Sequence, residues 1–555
     1  MIVIVIYIII VLSLLVLVIS DTITTIDDDI SRERYTLGNN NNNNASNIIK
    51  NRRNSKVLVL PPISPLSISN KTTSSNYEIS LIAAVTGLSL RFNTIHIATK
   101  SISEAQGTKV RLKYNNTAVT SIPKERLLPQ RIERYAISYA KKNGYMISNV
   151  AFKHISTLYD IEIVTNPASI VKEINQYDYI YMLGEDTMDG GEYGCALSVI
   201  KWLWLLYSAK TRPTTLMSST FSSGKFMTCH SNTQHLHYKR IQQELKLMMI
   251  KGNLFLHMKD KFSFESMKNF AIGNDPLLKH TAKKMRESSD LGYLIPPISV
   301  SHNSIDDYLY TSIIDKSNEV NIYALNETLN YYNTSQKLMT DILLALDNMK
   351  SNKKNIIGVN VNLGIFREEI LTDIITTLCS IESYSNNIAI LYIIYGHGKH
   401  RHEDHTSSQL FQTIYSQKCP NLFSVDNHNV LNIENGIFPS QYLMRYMSEL
   451  SLVITTDIYV AITSFNVIVP VAYIGEGHHL EMMKSINERF NLTSNMTLFR
   501  SSNFTLLAST NTSHDLDIFV KNQFNRRMEM KKNIEINLLD NIKLAKGNMY
   551  NSFVI

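Results

Sequence analysis

The sequence predicts an α/β protein with two Rossmann-like domains on parallel sheets, behind an N-terminal hydrophobic segment. Three observations lead there. From about residue 77 onward, short apolar runs rich in β-branched residues alternate with longer helical patterns, which is how stacked βαβ units read. That alternation occurs twice, on either side of a polar stretch over 301–354 rich in Asn, Ser and Tyr. The chain of 555 residues, 44% hydrophobic and 19% charged, also suffices for more than one sizeable core.

The elements follow in order. Residues 2–19, IVIVIYIIIVLSLLVLVI, form a charge-free stretch of 18, the length of a long signal-peptide core or a short spanning helix. No Lys or Arg precedes it, and Asp21, Asp27, Asp28 and Asp29 follow, so the amino-terminal side is the more positive and the body is expected in a lumen. Residues 1–20 are read as a signal peptide or signal anchor. Retained, the segment gives a single-pass type II membrane protein of the Golgi lumen; cleaved, it gives a secreted protein. Residues 21–75 hold the run Asn39–Asn44, Ser and Thr clusters, and Pro61, Pro62 and Pro65 without an apolar period, and are read as a low-complexity stem.

The N-terminal Rossmann-like domain is expected over 76–300, with YDYIYML (177–183) and TTLMSS (214–219) as strands flanking the helix ALSVIKWLWLLYSAK (196–210). Trp202 and Trp204 on that helix read as core. After the connection over 301–354, the C-terminal Rossmann-like domain is expected over 355–505. Its strands are NIIGVNV (355–361), NIAILYIIYG (387–396), LFSVD (422–426), SLVITT (451–456) and VIVPVAYIG (467–475). A helical tail occupies 506–555. No G-x-G-x-x-G follows any strand, so no dinucleotide fingerprint is present and no cofactor is expected. Ligands of open α/β sheets lie beyond the carboxyl ends of the strands, which puts the expected site in a cleft between the domains.

The formal charge of +7, from 55 basic and 48 acidic residues, favours anionic ligands and gives no reason to expect nucleic acid. Cys195, Cys229, Cys379 and Cys419 form no C-x-x-C pair. An oxidising compartment suggests Cys195 with Cys229 and Cys379 with Cys419; four buried free thiols is the equal alternative. Sequons at Asn44, Asn70, Asn115, Asn326, Asn333, Asn491, Asn495, Asn503 and Asn511 are compatible with glycosylation, at a frequency that Asn-rich composition alone produces. The segment HGKHRHEDH (397–405) has the residue types of a zinc site, but a solvated loop explains it better and no metal is expected.

Several segments, in order, resemble the polysaccharide pyruvyl transferase family. YDYIYML running into GEDTMDG (184–190) is similar to its "GADVMDG" strand and loop. TTLMSSTFS resembles "TILGFSFN", and LFLHMKDKFSFESM resembles "LRDPLSxxxL", with Lys259 at the usual Arg and with Asp260 and Ser263 kept. IIGVNVN resembles "IGLNI"; IAILYIIYGHGKHRHEDH resembles "LLPHD-R", keeping His397 and Arg401; and ELSLVITTDIYVAITSFNVIVPVAYIG resembles "xCDLVxGxRxHxxIAAxxxGVPxxxIxY". The likeness covers about residues 125–485.

The resemblance implies a GT-B-like fold and transfer of pyruvate from phosphoenolpyruvate to glycan hydroxyls as a ketal, so the expected partners are phosphoenolpyruvate and a glycan acceptor. It implies His397 as catalytic acid or base, Arg401 and Lys259 as anion contacts, and Asp186, Asp189 and Gly190 against the sugar, with Asp260 beside them. It also exposes a departure. Asp457 and Tyr459 stand where the family has Arg and His, which reverses a charge at an anion site and leaves Tyr459 as the remaining catalytic acid. His478, just past a strand end, is a candidate replacement contact. Two alternatives stay open: a catalytically inactive glycan-binding descendant, and a GT-B glycosyltransferase using a nucleotide sugar.

Overall fold

A computed structural model describes residues 54–62, 75–100, 149–185, 188–190, 195–231, 235–273, 283–295, 355–361, 368–385, 388–393, 424–426, 440–475, 477–492, 498–500 and 511–551, with scattered single positions between them. Lys56–Ile555 forms one compact unit that contains two sheets.

The first sheet is built from β1 (Lys56–Leu60), β2 (Thr94–Thr99), β3 (Asn149–His154), β4 (Tyr179–Glu185), β5 (Thr214–Ser219), β6 (Leu254–Met258) and β7 (Met285–Glu287), in the order β3-β2-β1-β4-β5-β6-β7. The second is built from β8 (Asn355–Asn360), β9 (Ile388–Tyr392), β10 (Ser424–Asp426), β11 (Leu452–Thr455), β12 (Val471–Gly475) and β13 (Leu498–Arg500), in the order β10-β9-β8-β11-β12-β13. The strand pairs run parallel throughout, for example Val57 against Tyr179 and Val453 against Val471. Counted within each half, both orders begin 3-2-1-4-5-6, that of doubly wound dinucleotide-type sheets. The chain reverses direction between β1 and β4 in the first, and between β8 and β11 in the second. Strands covered on both faces read as apolar runs, as in VLVL of β1 and IAILY of β9.

The helices described are α1 (Ser75–Ser89), α2 (Ala168–Ile174), α3 (Cys195–Thr211), α4 (Ser223–Ser231), α5 (His235–Lys251), α6 (Lys261–Ala271), α7 (Glu368–Ser385), α8 (Ser440–Met447), α9 (Ile458–Asn466), α10 (Gly477–Arg489) and α11 (Asn511–Asn551). Alternation along the strands sorts the core. Leu58, Met182, Leu216 and Leu256 point to one face of the first sheet, where Trp202 and Trp204 are wholly buried. Val57, Val59, Tyr181 and Leu183 point to the other, and their apolar cluster continues without a break into Ile357, Val359, Val453 and Ile474 of the second sheet. α11 packs on α1 and also on α7, α9, β11 and β12. Gly87 of α1 is glycine for that reason: a Cβ there would meet Met549 Sδ at 1.7 Å.

The stem expected over 21–75 is corrected at its carboxyl end. KVLVL (56–60) is a central strand, buried from Val57 to Leu60, because β2 and β4 hydrogen-bond to its two edges. The free-thiol alternative does not hold for Cys195 and Cys379, which are disulfide-bonded. Among the described residues no helix is long and apolar enough to cross a membrane, and residues 1–20 lie outside them.

Candidate functional site

The carboxyl end of β4 is a tight corner. A Cβ on Gly184 would lie 2.3 Å from Ser219 Cβ and 2.9 Å from its Cα, so only glycine lets β5 approach this closely. Glu185 follows in the left-handed region at φ +41°, a conformation that is costly for a residue with a Cβ and is held by its surroundings. Its carbonyl accepts from Thr220 N and Thr220 Oγ1, both at 3.1 Å. The corner aims the carboxylate inward, where Lys259 Nζ donates to Glu185 Oε2 at 3.2 Å.

Lys259 directly follows β6 and is 2% exposed. Its ammonium also lies 3.5 Å from Asp290 Oδ2 and 4.8 Å from the centre of the Tyr459 ring. Asp290 is fixed from its other oxygen, since Oδ1 accepts Gly292 N at 2.7 Å at the head of a short turn, Leu291–Leu294. Arg489, from α10 of the second half, donates to the Lys259 carbonyl at 2.9 Å and pairs with Glu287 at 2.7 Å. A small cavity between the halves is lined by Lys259, Asp290, Tyr293 and Arg489, with Ile462, Ile486 and Asn541. Burial, reinforced by Asp290, pushes the Tyr293 hydroxyl far above the ordinary phenol range, so it stays protonated.

A second contact joins the halves nearby. Lys225 on α4 places Nζ 2.7 Å from His478 Nε2 in the first turn of α10, and both side chains are half-buried. With the ammonium as donor, Nε2 accepts and the imidazole proton sits on Nδ1. His479 packs against His478 with ring centres 3.9 Å apart.

The residues expected from sequence fall into three groups. Lys259, Tyr459 and His478 are brought to the junction of the two halves. Asp260, Asp189 and Asp457 are held by hydrogen bonds within the protein. Asp260 is wholly buried as the N-cap of α6, its oxygens accepting Ser263 N at 2.8 Å and Ser263 Oγ at 2.6 Å. Burial raises its pKa against those hydrogen bonds. Asp189, 2% exposed, accepts Ser222 N at 3.1 Å and so ties the loop after β4 to the one after β5. Asp457 caps α9, its Oδ1 accepting Tyr459 N at 2.7 Å and Val460 N at 3.3 Å. A carboxylate there complements the helix dipole and occupies the place an anionic ligand would take. Gly190 turns the loop at φ +86°. Asp186, His397 and Arg401 lie outside the described residues, as does the whole of 397–405. Among the described residues no group of His, Cys, Asp and Glu is arranged to hold a metal ion.

Sequence reasoning missed Glu185, Asp290, Arg489 and Lys225. Only Glu185 carried a local signal, as the residue after a glycine at a strand end.

No protein-family model and no curated protein matches the chain. Among solved structures it is similar to a putative UDP-N-acetylglucosamine 2-epimerase from Listeria monocytogenes, at 10% identity and a TM-score of 0.44, covering 90% of this chain and 97% of that one. The trehalose-6-phosphate synthase OtsA is similar at 10% identity and a TM-score of 0.44, with coverages of 90% and 99%. Anabaena Alr3699/HepE in complex with UDP is similar at 8% identity and a TM-score of 0.40, with coverages of 89% and 100%. The class of the molecule, a parallel α/β protein with two Rossmann-like sheets, rests on the strand orders themselves.

Proposed function

We propose that the chain is a glycosyltransferase that holds a nucleotide sugar between its two halves and passes the sugar to a glycan hydroxyl, the nucleoside diphosphate leaving. The observation that carries this reading is the Lys225–His478 bridge. It sets an ammonium and an imidazole at the first turn of α10, where helix N–H groups add positive potential, so a phosphate has donors from both halves. The end of α9 offers no such seat, because Asp457 fills it. Two switch points in one molecule suit a ligand of two parts, nucleotide and sugar. Glu185 and Tyr459, both held against the Lys259 ammonium, are the groups assigned to the acceptor's proton.

The test is thermal shift and calorimetric titration of the full chain with UDP-glucose, GDP-mannose and phosphoenolpyruvate. A nucleotide sugar is expected to raise the melting temperature, with Lys225→Ala weakening binding about tenfold, the loss of one charged contact. No shift with any nucleotide sugar removes the reading.

Ketal transfer from phosphoenolpyruvate is the second reading, favoured by one observation. Lys259 and Tyr459, from two separate segments of the pyruvyl transferase resemblance, meet at 4.8 Å. It ranks second because Glu185 and Asp290 already flank the Lys259 ammonium, and these carboxylates oppose a small, densely charged donor. A shift with phosphoenolpyruvate alone, with a ketal adduct on a galactoside seen by mass spectrometry, reverses the ranking.

The proposed address is luminal, as a Golgi type II membrane protein or a secreted one. The disulfide-bonded Cys195 and Cys379 and the charge-free residues 2–19 support it. Protease protection of the body in intact microsomes tests it, and digestion without detergent refutes it.

A further inference from the structure

The helix that carries His478 ends on a turn that the proposed site does not use. After Arg489 the chain closes in a Schellman motif: Asn491 N donates to Glu488 O at 3.1 Å and Leu492 N to Asn487 O at 2.9 Å, with Asn491 at φ +53°. Glycine is the usual residue at such a position and Asn the next most tolerant. The motif turns Leu492 inward, to 2% exposure, and leaves Asn491 exposed. Asn491-Leu492-Thr493 reads Asn-x-Thr. Of the chain's sequons, this is the one whose asparagine side chain lies among the described residues. Its Nδ2 donates to Asn537 Oδ1 on α11 at 3.2 Å, and its carbonyl accepts Asn533 Nδ2 at 3.4 Å.

We propose that Asn491 carries an N-linked glycan. In that step the amide nitrogen attacks the anomeric carbon of a lipid-diphosphate-linked oligosaccharide. The N–C bond forms, the anomeric C–O bond breaks with its electron pair going to the departing lipid diphosphate, and the amide gives up one of its two Nδ2 protons. The transfer takes place on the emerging chain, so the folded protein has only to admit the product. It does: the remaining N–H is enough for the Asn537 bond, the side chain points to solvent, and the left-handed backbone is one that Asn tolerates. The disulfide-bonded Cys195 and Cys379 belong to the same oxidising route through the cell.

The full chain, produced in a eukaryotic secretory host, is digested, and the peptide spanning Asn491 is read by mass spectrometry before and after enzymatic deglycosylation in isotopically heavy water. The expected result is a glycan on that peptide and heavy Asp at 491 after deglycosylation. Asn491→Gly suits the φ, so it is expected to keep the melting temperature within about 2 °C while losing one glycan step on a gel. Thr493→Ala is expected to lose the same step with Asn491 in place, and Thr493→Ser to keep it. An unmodified 491 peptide overturns the proposal, whether the rest of the chain is glycosylated or bare. Neither outcome bears on which donor the site between the halves accepts.

Discussion

The two switch points share a topology and differ in chemistry. At the end of β4 the first half buries charge: Glu185, Lys259 and Asp290 meet with the lysine 2% exposed. At the matching end of β11 the second half buries neutral groups, and the carboxylate beside them, Asp457, caps α9. Thr455 Oγ1 donates to Asn360 Oδ1 at 3.1 Å and accepts Asp457 N at 2.9 Å, while Asn360 Nδ2 donates to the Ile393 carbonyl at 2.9 Å. Strand order decides where the ligand-facing edge lies and leaves its electrostatics open. A buried ionic cluster is seldom the most stable filling for such a corner, so the first half gives up stability there that the second half keeps.

The largest expected effect breaks the ionic corner. Lys259→Met leaves two carboxylates facing each other without a cation and should lower stability by about 3–5 kcal/mol in urea unfolding. Combining it with Glu185→Gln and Asp290→Asn should recover most of that loss; if the single change costs under about 1 kcal/mol, the corner is wetter than described. The neutral corner should lose less. Thr455→Val leaves Asn360 and the Asp457 amide short of a partner, for about 1–3 kcal/mol by the same assay.

A pH experiment separates the halves in another way. His257 on β6 is 1% exposed and burial, helped by Arg286, holds its pKa down to about 3; His96 on β2 is lowered to about 4, mainly by burial. Both are in the first sheet. A depressed folded pKa means the unfolded chain binds more protons, so this stability is present above pH 6.5 and is lost as pH falls toward 3, at up to about 1.4 kcal/mol per pH unit for each histidine. Hydrogen exchange at pH 5 should show the first sheet opening before the second, and His257→Phe should flatten that acid limb. Equal loss of protection in both sheets would contradict the assignment. The smallest effect is expected for Asp457→Ala, about 1 kcal/mol for a lost helix cap, read by urea unfolding.

Much of the architecture is legible along the chain because buried parallel strands are short apolar runs and their crossovers are helical. TTLMSS is the observed β5 over its full length. β1 escapes because its five residues sit between a basic, Asn-rich stretch and Pro61-Pro62, and only pairing with β2 and β4 makes them a strand. At the site, Lys259 and Tyr459 stand out through the family resemblance. Asp260 and Asp457 cap helices, and an Asp ahead of a helix reads the same in sequence whether it caps that helix or holds a ligand. Lys225 and Arg489 have no local mark. Their meaning comes from partners 253 and 202 residues away along the chain.

The contact between Gly87 and Met549 also sets a clock. About 460 residues of synthesis separate the two, or roughly 25–90 s at ~5–20 residues per second. For that time the apolar side of α1 awaits its cover, and a nascent chain in this state presents a greasy trough to its surroundings. Chaperone dependence should therefore persist until translation ends, and a chain stalled before α11 should be recognised as unfinished however well its first sheet has formed.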